Sequence, residues 1–224
     1  YVRELVRSAN AAGEVAGMVA LSCPREVYRF LAHAGLPVVV FGSLYADQLD
    51  IASVDVDNYE TGRLLTEHLL RSGHRRMALL CKSQGRPGDN EFFDGVSEVL
   101  TAAGLPHNSL IVRIVPPDEQ AFAAQLRLLA EMPDRPTALI VRSGLFVRAA
   151  ESAVSSLGLS AAERMEIVYQ DHPPAKGKPL PYTCVRPKLH FHEITALIGK
   201  MLQRLSQGEP LEQQRVVVPV ELRI

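Results

Sequence analysis

Arg142, Ser143 and Gly144 stand where the chain changes character. An apolar run of strand length, Ala138 to Val141, ends there, and a helix-like stretch follows from Leu145. Such joins are where α/β proteins keep polar binding groups, because strand ends and helix starts converge on the same space. Asp171 and His172 occupy a second join, after "MEIVYQ". Asp171 suits either hydrogen bonding to a ligand or bracing of the Pro-rich loop that follows. Arg142 and His172 either add polarity beside it or point to solvent. Ser143 either contacts a ligand or caps the helix behind it. Binding, not bond-making, is the chemistry these groups suggest. No G-x-S-x-G, P-loop, His-Glu-x-x-His or Cys-x-x-Cys occurs, and "GRPGDNEFFDG" has glycines without the lysine and strand–turn–helix setting that phosphate needs. The sequence therefore points away from an enzyme, with no catalytic residue and no cofactor expected.

Two further features have plain readings. His190 and His192 resemble a metal pair, but a period of two suits a strand whereas these residues enter a helix, and no acidic or cysteine partner stands at ligand spacing. No metal site is expected. Cys23, Cys81 and Cys184 are odd in number, far apart, and each lies within or beside an apolar run, which fits buried free thiols and a reducing compartment.

The elements that must position these groups alternate almost throughout. Strand-like runs at 16–22, 37–41, 51–57, 76–81, 109–115, 137–141 and 165–170 are interleaved with helical periodicities, among them 25–34, 58–72, 91–103, 119–132 and 145–157. "YTCVR" precedes a long helix over 189–206, and "QRVVVPVELRI" closes as one or two strands. This rhythm predicts an α/β fold built on parallel sheets with helices on both faces. The stretch 82–90, "KSQGRPGDN", interrupts it and reads as a loop, a candidate hinge between two sheets. With 224 residues, 47% hydrophobic, 22% charged and formal net charge −1, the composition is that of an ordinary globular chain. No clustered positive charge marks it as a nucleic-acid binder, and Arg75-Arg76 reads as a solvated helix end. No apolar stretch has membrane-spanning length, and no signal sequence opens the chain. It opens inside an amphipathic pattern, "YVRELVRSANAAG", which suggests a segment whose N-terminal part is missing.

The stretch "VDVDNYETGRLLTEHLLRSGHRRMALL", 54–80, is the most specific. Asp57 or Asn58 can cap a helix whose apolar face is Leu64, Leu65, Leu69 and Leu70, and Gly73 can end it in the left-handed conformation. The stretch closely resembles the effector-binding region of LacI/GalR-type transcriptional regulators, which read V-D-N-x-x-G-R-x-x-x-x-H-L and then G-H-R-R-I-A. "AGLPVVVFG", "RPTALIVRSGLFVRAAESAVSSLGL", "MEIVYQD" and "PYTCVRPKLHFHEITALIGKMLQRLSQGEP" extend the resemblance over essentially the whole chain. It implies a two-lobed fold of the periplasmic-binding-protein-like type I, with three crossovers and a small effector, a sugar or similar molecule, in the cleft between lobes. Laid on this sequence it puts residues 1–81 plus 187–218 in an N-terminal lobe lacking its first strands, and 82–186 plus 219–224 in a C-terminal lobe. It further implies a cytoplasmic bacterial homodimer that reaches operator DNA through a domain absent from this chain.

Four polar positions are expected to face the effector. The first, often Asp after the "PVVVF" strand, is here Gly42-Ser43; the second, an Arg before the glycine matched by Gly95, is Phe92; the third, the Asn of an Asn-Asp pair, is Ser143 with Gly144; the fourth, an Asp, is retained as Asp171. Phe92 exchanges a bidentate cation for an aromatic face, or else packs in the core beside Phe93. Three functional readings follow: a ligand-sensing and dimerisation domain of a transcription regulator, an extracytoplasmic solute-binding protein of a transporter, or a regulator that has lost small-molecule response.

Overall fold

Three consecutive valines, Val38 to Val40, are all buried yet pack on different layers. Val38 and Val40 join Val6, Tyr28 and Leu31 on one side of their strand, while Val39 joins Ile194, Ile198 and Met201 on the other. A strand covered on both faces needs such an unbroken apolar run, because successive side chains point to opposite sides. The computed structural model describes residues 1–13, 16–47, 50–82, 87–116, 118–142, 144–156, 165–171, 180–210 and 213–224, and these contain two sheets of this kind.

The chain divides into two units, Tyr1–Asp57 with Arg86–Gly88 and Lys188–Pro219, and Asn58–Gly85 with Asp89–Pro187 and Val220–Ile224. In the first, strands β1 (Met18–Leu21), β2 (Val38–Phe41), β3 (Ala52–Val56) and β9 (Arg215–Val218) pair in that order, all parallel. Helices α1 (Val2–Ala12) and α2 (Arg25–Ala32) pack on one face and α7 (Phe191–Ser206) on the other. In the second unit the order is β10 (Val220–Arg223), β8 (Thr183–Pro187), β7 (Glu166–Gln170), β6 (Ala138–Val141), β4 (Met77–Lys82) and β5 (Leu110–Val115). All neighbours there are parallel except β10, which runs antiparallel to β8. Leu80, Val141 and Tyr169 face helices α5 (Glu119–Ala130) and α6 (Gly144–Ser156) in one core cluster. Helix α3 (Asn58–Arg71) packs against β7, β8 and β10, and α4 (Pro87–Ala102) crosses it.

The α/β class and parallel sheets agree with the strand–helix rhythm, but the lobe boundary read from sequence does not. That reading ends the first lobe after residue 81, whereas α3 and β4 belong to the second unit. β4 is hydrogen-bonded to both β5 and β6, so it is an interior strand of the second sheet. The alternation runs on past Asp57 without a break, and periodicity carries no mark of a change of sheet. The later boundaries differ by one residue each, at Pro187/Lys188 and Pro219/Val220. Of the stretch 82–90, which the sequence reads as loop and hinge, residues 83–86 lie outside the described ones, and α4 starts already at Pro87. Proline fits a first helical turn, where its missing N–H loses no bond.

Gly73, at φ 93°, ends α3 in the left-handed region as expected. Beyond it the basic pair splits. Arg75 donates from Nη1 to the Leu70 carbonyl at the end of α3, as a helix-end cation does, while Arg76 is pinned by the Asn108 carbonyl at 2.8 Å and by Asp134. Glu166 meets Nε2 of both His68 (3.0 Å) and His74 (2.7 Å), which fastens this turn to the start of β7.

Helices α3 and α4 meet backbone to backbone. A Cβ placed on Gly62 would lie 2.3 Å from the Phe92 carbonyl oxygen, and one on Gly95 would lie 2.1 Å from that of Tyr59. A carbonyl in the opposing helix cannot swing aside as a side chain does. Gly95→Ala is therefore expected to destabilise the protein by about 2–4 kcal/mol, because the helices must part. Gly199→Ala in α7, whose Cβ would have nothing within 4 Å, is expected to be neutral or stabilising by up to about 1 kcal/mol. Urea denaturation of the two variants side by side checks the contrast, and equal effects would contradict the close-approach account.

Candidate functional site

Strands β4, β6 and β7 point their carboxyl ends the same way, since they are parallel, and α3 and α4 start at that end. Arg142 follows the last residue of β6 and gathers these elements. Its Nη1 is ion-paired with Asp89 in the first turn of α4, its Nη2 donates to Asn58 Oδ1 at 2.9 Å at the start of α3, and its Nε donates to Gln170 Oε1 at 3.3 Å at the end of β7. Gln170 Nε2 in turn donates to Asn58 Oδ1 at 3.4 Å. The guanidinium carbon lies 4.5 Å from the centroid of the Phe92 ring, over its face.

Each partner has a physical reason to be there. The Arg142 and Asp89 side chains are only 13% and 19% exposed, so each charge needs the other. Asp89 also sits near the positive end of the α4 dipole. Asn58, Gln170 and Phe92 are buried at 4%, 5% and 0% exposure, and a buried amide is tolerated only when hydrogen-bonded. Beneath them the Cys81 thiol is pushed up to about 11, chiefly by burial and further by Asp89, against the opposing pull of Arg142. That removes it as a thiolate nucleophile near neutral pH. The arrangement is equipped for holding ionic and hydrogen-bonding groups.

The expected site residues separate into three sets. Phe92, Arg142 and Asp171 all stand at this end of the second unit's sheet, with Phe92 fully buried and the Arg142 guanidinium over its ring. Asp171 extends the β7–β8 ladder, its N–H donating to the Val185 carbonyl at 2.8 Å. Its charge adds to the burial that raises both Tyr169 and Cys184. Ser43 belongs to the first unit, where its hydroxyl donates to Asp55 Oδ2. Ser143 and His172 lie outside the described residues.

Sequence reasoning missed Asn58 as more than a cap, Asp89 and Gln170. A glutamine closing the apolar run "EIVYQ" was the available signal, because a polar residue there must find a partner. His190 stacks on His192 at 5.7 Å between centroids, and its backbone N–H donates to Glu193 at the start of α7. Among the described residues no group of three or more His, Cys, Asp or Glu side chains is placed to hold a metal.

Residues 66–224 match a family model described as periplasmic binding protein-like domain. The chain is 28% identical over 222 residues to the HTH-type transcriptional regulator CelR of Thermobifida fusca, covering 96% of this chain and 64% of that protein. It thus spans just under two thirds of that relative's length. The solved complex of the transcriptional regulator CelR with cellobiose has a TM-score of 0.78 at 28% identity, over 99% of this chain and 68% of that one. A regulatory protein of LacI family from Chloroflexus aggregans has a TM-score of 0.82 at 26% identity, over 99% and 79%.

The thiols offer a direct check on the electrostatics. Cys81 and Cys184 are buried and Cys23 is half-buried, a departure from the expectation that all three are buried. Alkylation of the native protein at pH 8 is expected to modify Cys23 first, with Cys81 reacting only as the protein unfolds. Peptide mapping after iodoacetamide treatment reads this, and early labelling of Cys81 would contradict its environment.

Proposed function

The chain belongs to the periplasmic binding protein-like domain family, and on that premise we propose that it is the ligand-sensing and dimerisation part of a transcriptional regulator of the LacI/GalR type. A small-molecule effector, sugar-like in class, acts at the carboxyl end of the second unit's strands. The coupling runs to operator DNA through a segment outside this chain, in a bacterial cytoplasm. What carries the reading is a partly buried cation–carboxylate pair at the strand ends of a regulator-type fold, held by Asn58, Gln170 and Phe92. The similarity to CelR and to the LacI-family regulatory protein from Chloroflexus aggregans supports it over a transporter's solute-binding protein, and no described helix is long and apolar enough to cross a membrane.

In such a domain an effector works by favouring one of two arrangements, and the difference in its affinity for them limits the shift in DNA affinity. Genome-wide occupancy of the full-length protein in cells is expected to show a few sharp sites sharing a two-fold-related sequence. Their loss or gain should follow addition of a sugar or sugar-like compound. Occupancy no sharper than a non-specific control would end the regulator reading.

A further inference from the structure

The groups around Arg142 form the set by which a protein would bind a free guanidinium ion. A carboxylate (Asp89), two amide oxygens (Asn58 and Gln170) and an aromatic face (Phe92) converge from three different elements on one planar cation. Asn58, Gln170 and Phe92 are more than nine-tenths buried. Asp171, half-buried beyond Gln170, adds a second carboxylate at the same strand end. The balance is rich in acceptors and negative charge, so it selects a cation with in-plane donors over an anion.

We propose that the carboxyl end of the second unit's sheet is a guanidinium-binding site that the chain fills in cis with its own Arg142. The domain then carries in its sequence a ligand that holds the starts of α3 and α4 against the ends of β6 and β7. The inference rests on the sensor reading only for where an effector acts, since the site itself is made wholly of second-unit residues. It assigns Arg142 a positioning role. An external effector acting here meets a preassembled surface, and need not assemble one.

Chemical rescue tests this on the purified chain. Arg142→Ala is expected to lower the melting temperature by about 4–10 °C, because it takes from partly buried Asp89 its Arg142 ion-pair partner. Methylguanidinium at millimolar concentration is expected to restore at least half of that loss, whereas methylammonium at equal concentration restores little. Neither should raise the melting temperature of the unsubstituted protein, whose site is filled. The double variant Arg142→Ala, Asp89→Asn should lose the selective rescue. A fall of less than about 2 °C in the single variant, equal rescue by the two cations, or undiminished rescue in the double variant would each overturn the proposal. Should Arg142→Ala be recovered only as insoluble protein, refolding yield in methylguanidinium against methylammonium puts the same question, and equal yields overturn it. Failure of the regulator reading shows separately, as absent operator occupancy with rescue intact.

Discussion

Two helix backbones touch at Gly62 and Gly95 with no side chain between them, and the polar cluster of the second unit is built on that contact. Asn58 stands one turn before Gly62, and Phe92 and Asp89 stand within two turns before Gly95. The crossing therefore fixes how far apart the starts of α3 and α4 can be. Any Cβ at the crossing would push α4 outward and carry Phe92 and Asp89 with it. A buried ion pair is favourable only when its geometry is good and its remaining hydrogen-bonding groups are satisfied. The close approach is what lets one guanidinium reach Asp89, Asn58 and Gln170 while lying on a ring.

The parts legible in the sequence are those governed by local pattern. Runs such as Val38–Phe41 and Ala138–Val141 announce strands covered on both faces, and Gly73 announces the end of a helix. Properties set by distant partners are not legible. Asp57 and Asn58 fall in different units although they are neighbours in the chain. Asp89 lies hidden in a stretch whose proline and two glycines read as loop, because proline at a helix start and proline in a turn look alike in one sequence. Arg142 stands out by its position at a strand end, but only the fold shows that its fork is bound on three sides.

The resemblance expects a guanidinium from position 92, and the chain has there a phenyl ring with the guanidinium of Arg142 lying over it. A cation is thus present at this strand end, delivered from β6 and not from α4. In the first unit the Ser43 hydroxyl, just after β2, donates to Asp55 Oδ2.

Residues 215–223 bear on the order in which the two sheets can form. Residues 215–218 add the edge strand β9 to one sheet, and residues 220–223 add β10 to the other, with Pro219 between them. A ribosome that has released the residues up to Gln214 has therefore completed neither sheet. Each nascent sheet waits with an unpaired edge, the kind of surface that recruits other chains. The two sheets thus gain their final described strands from neighbouring residues on either side of Pro219, although their other strands come earlier in the sequence.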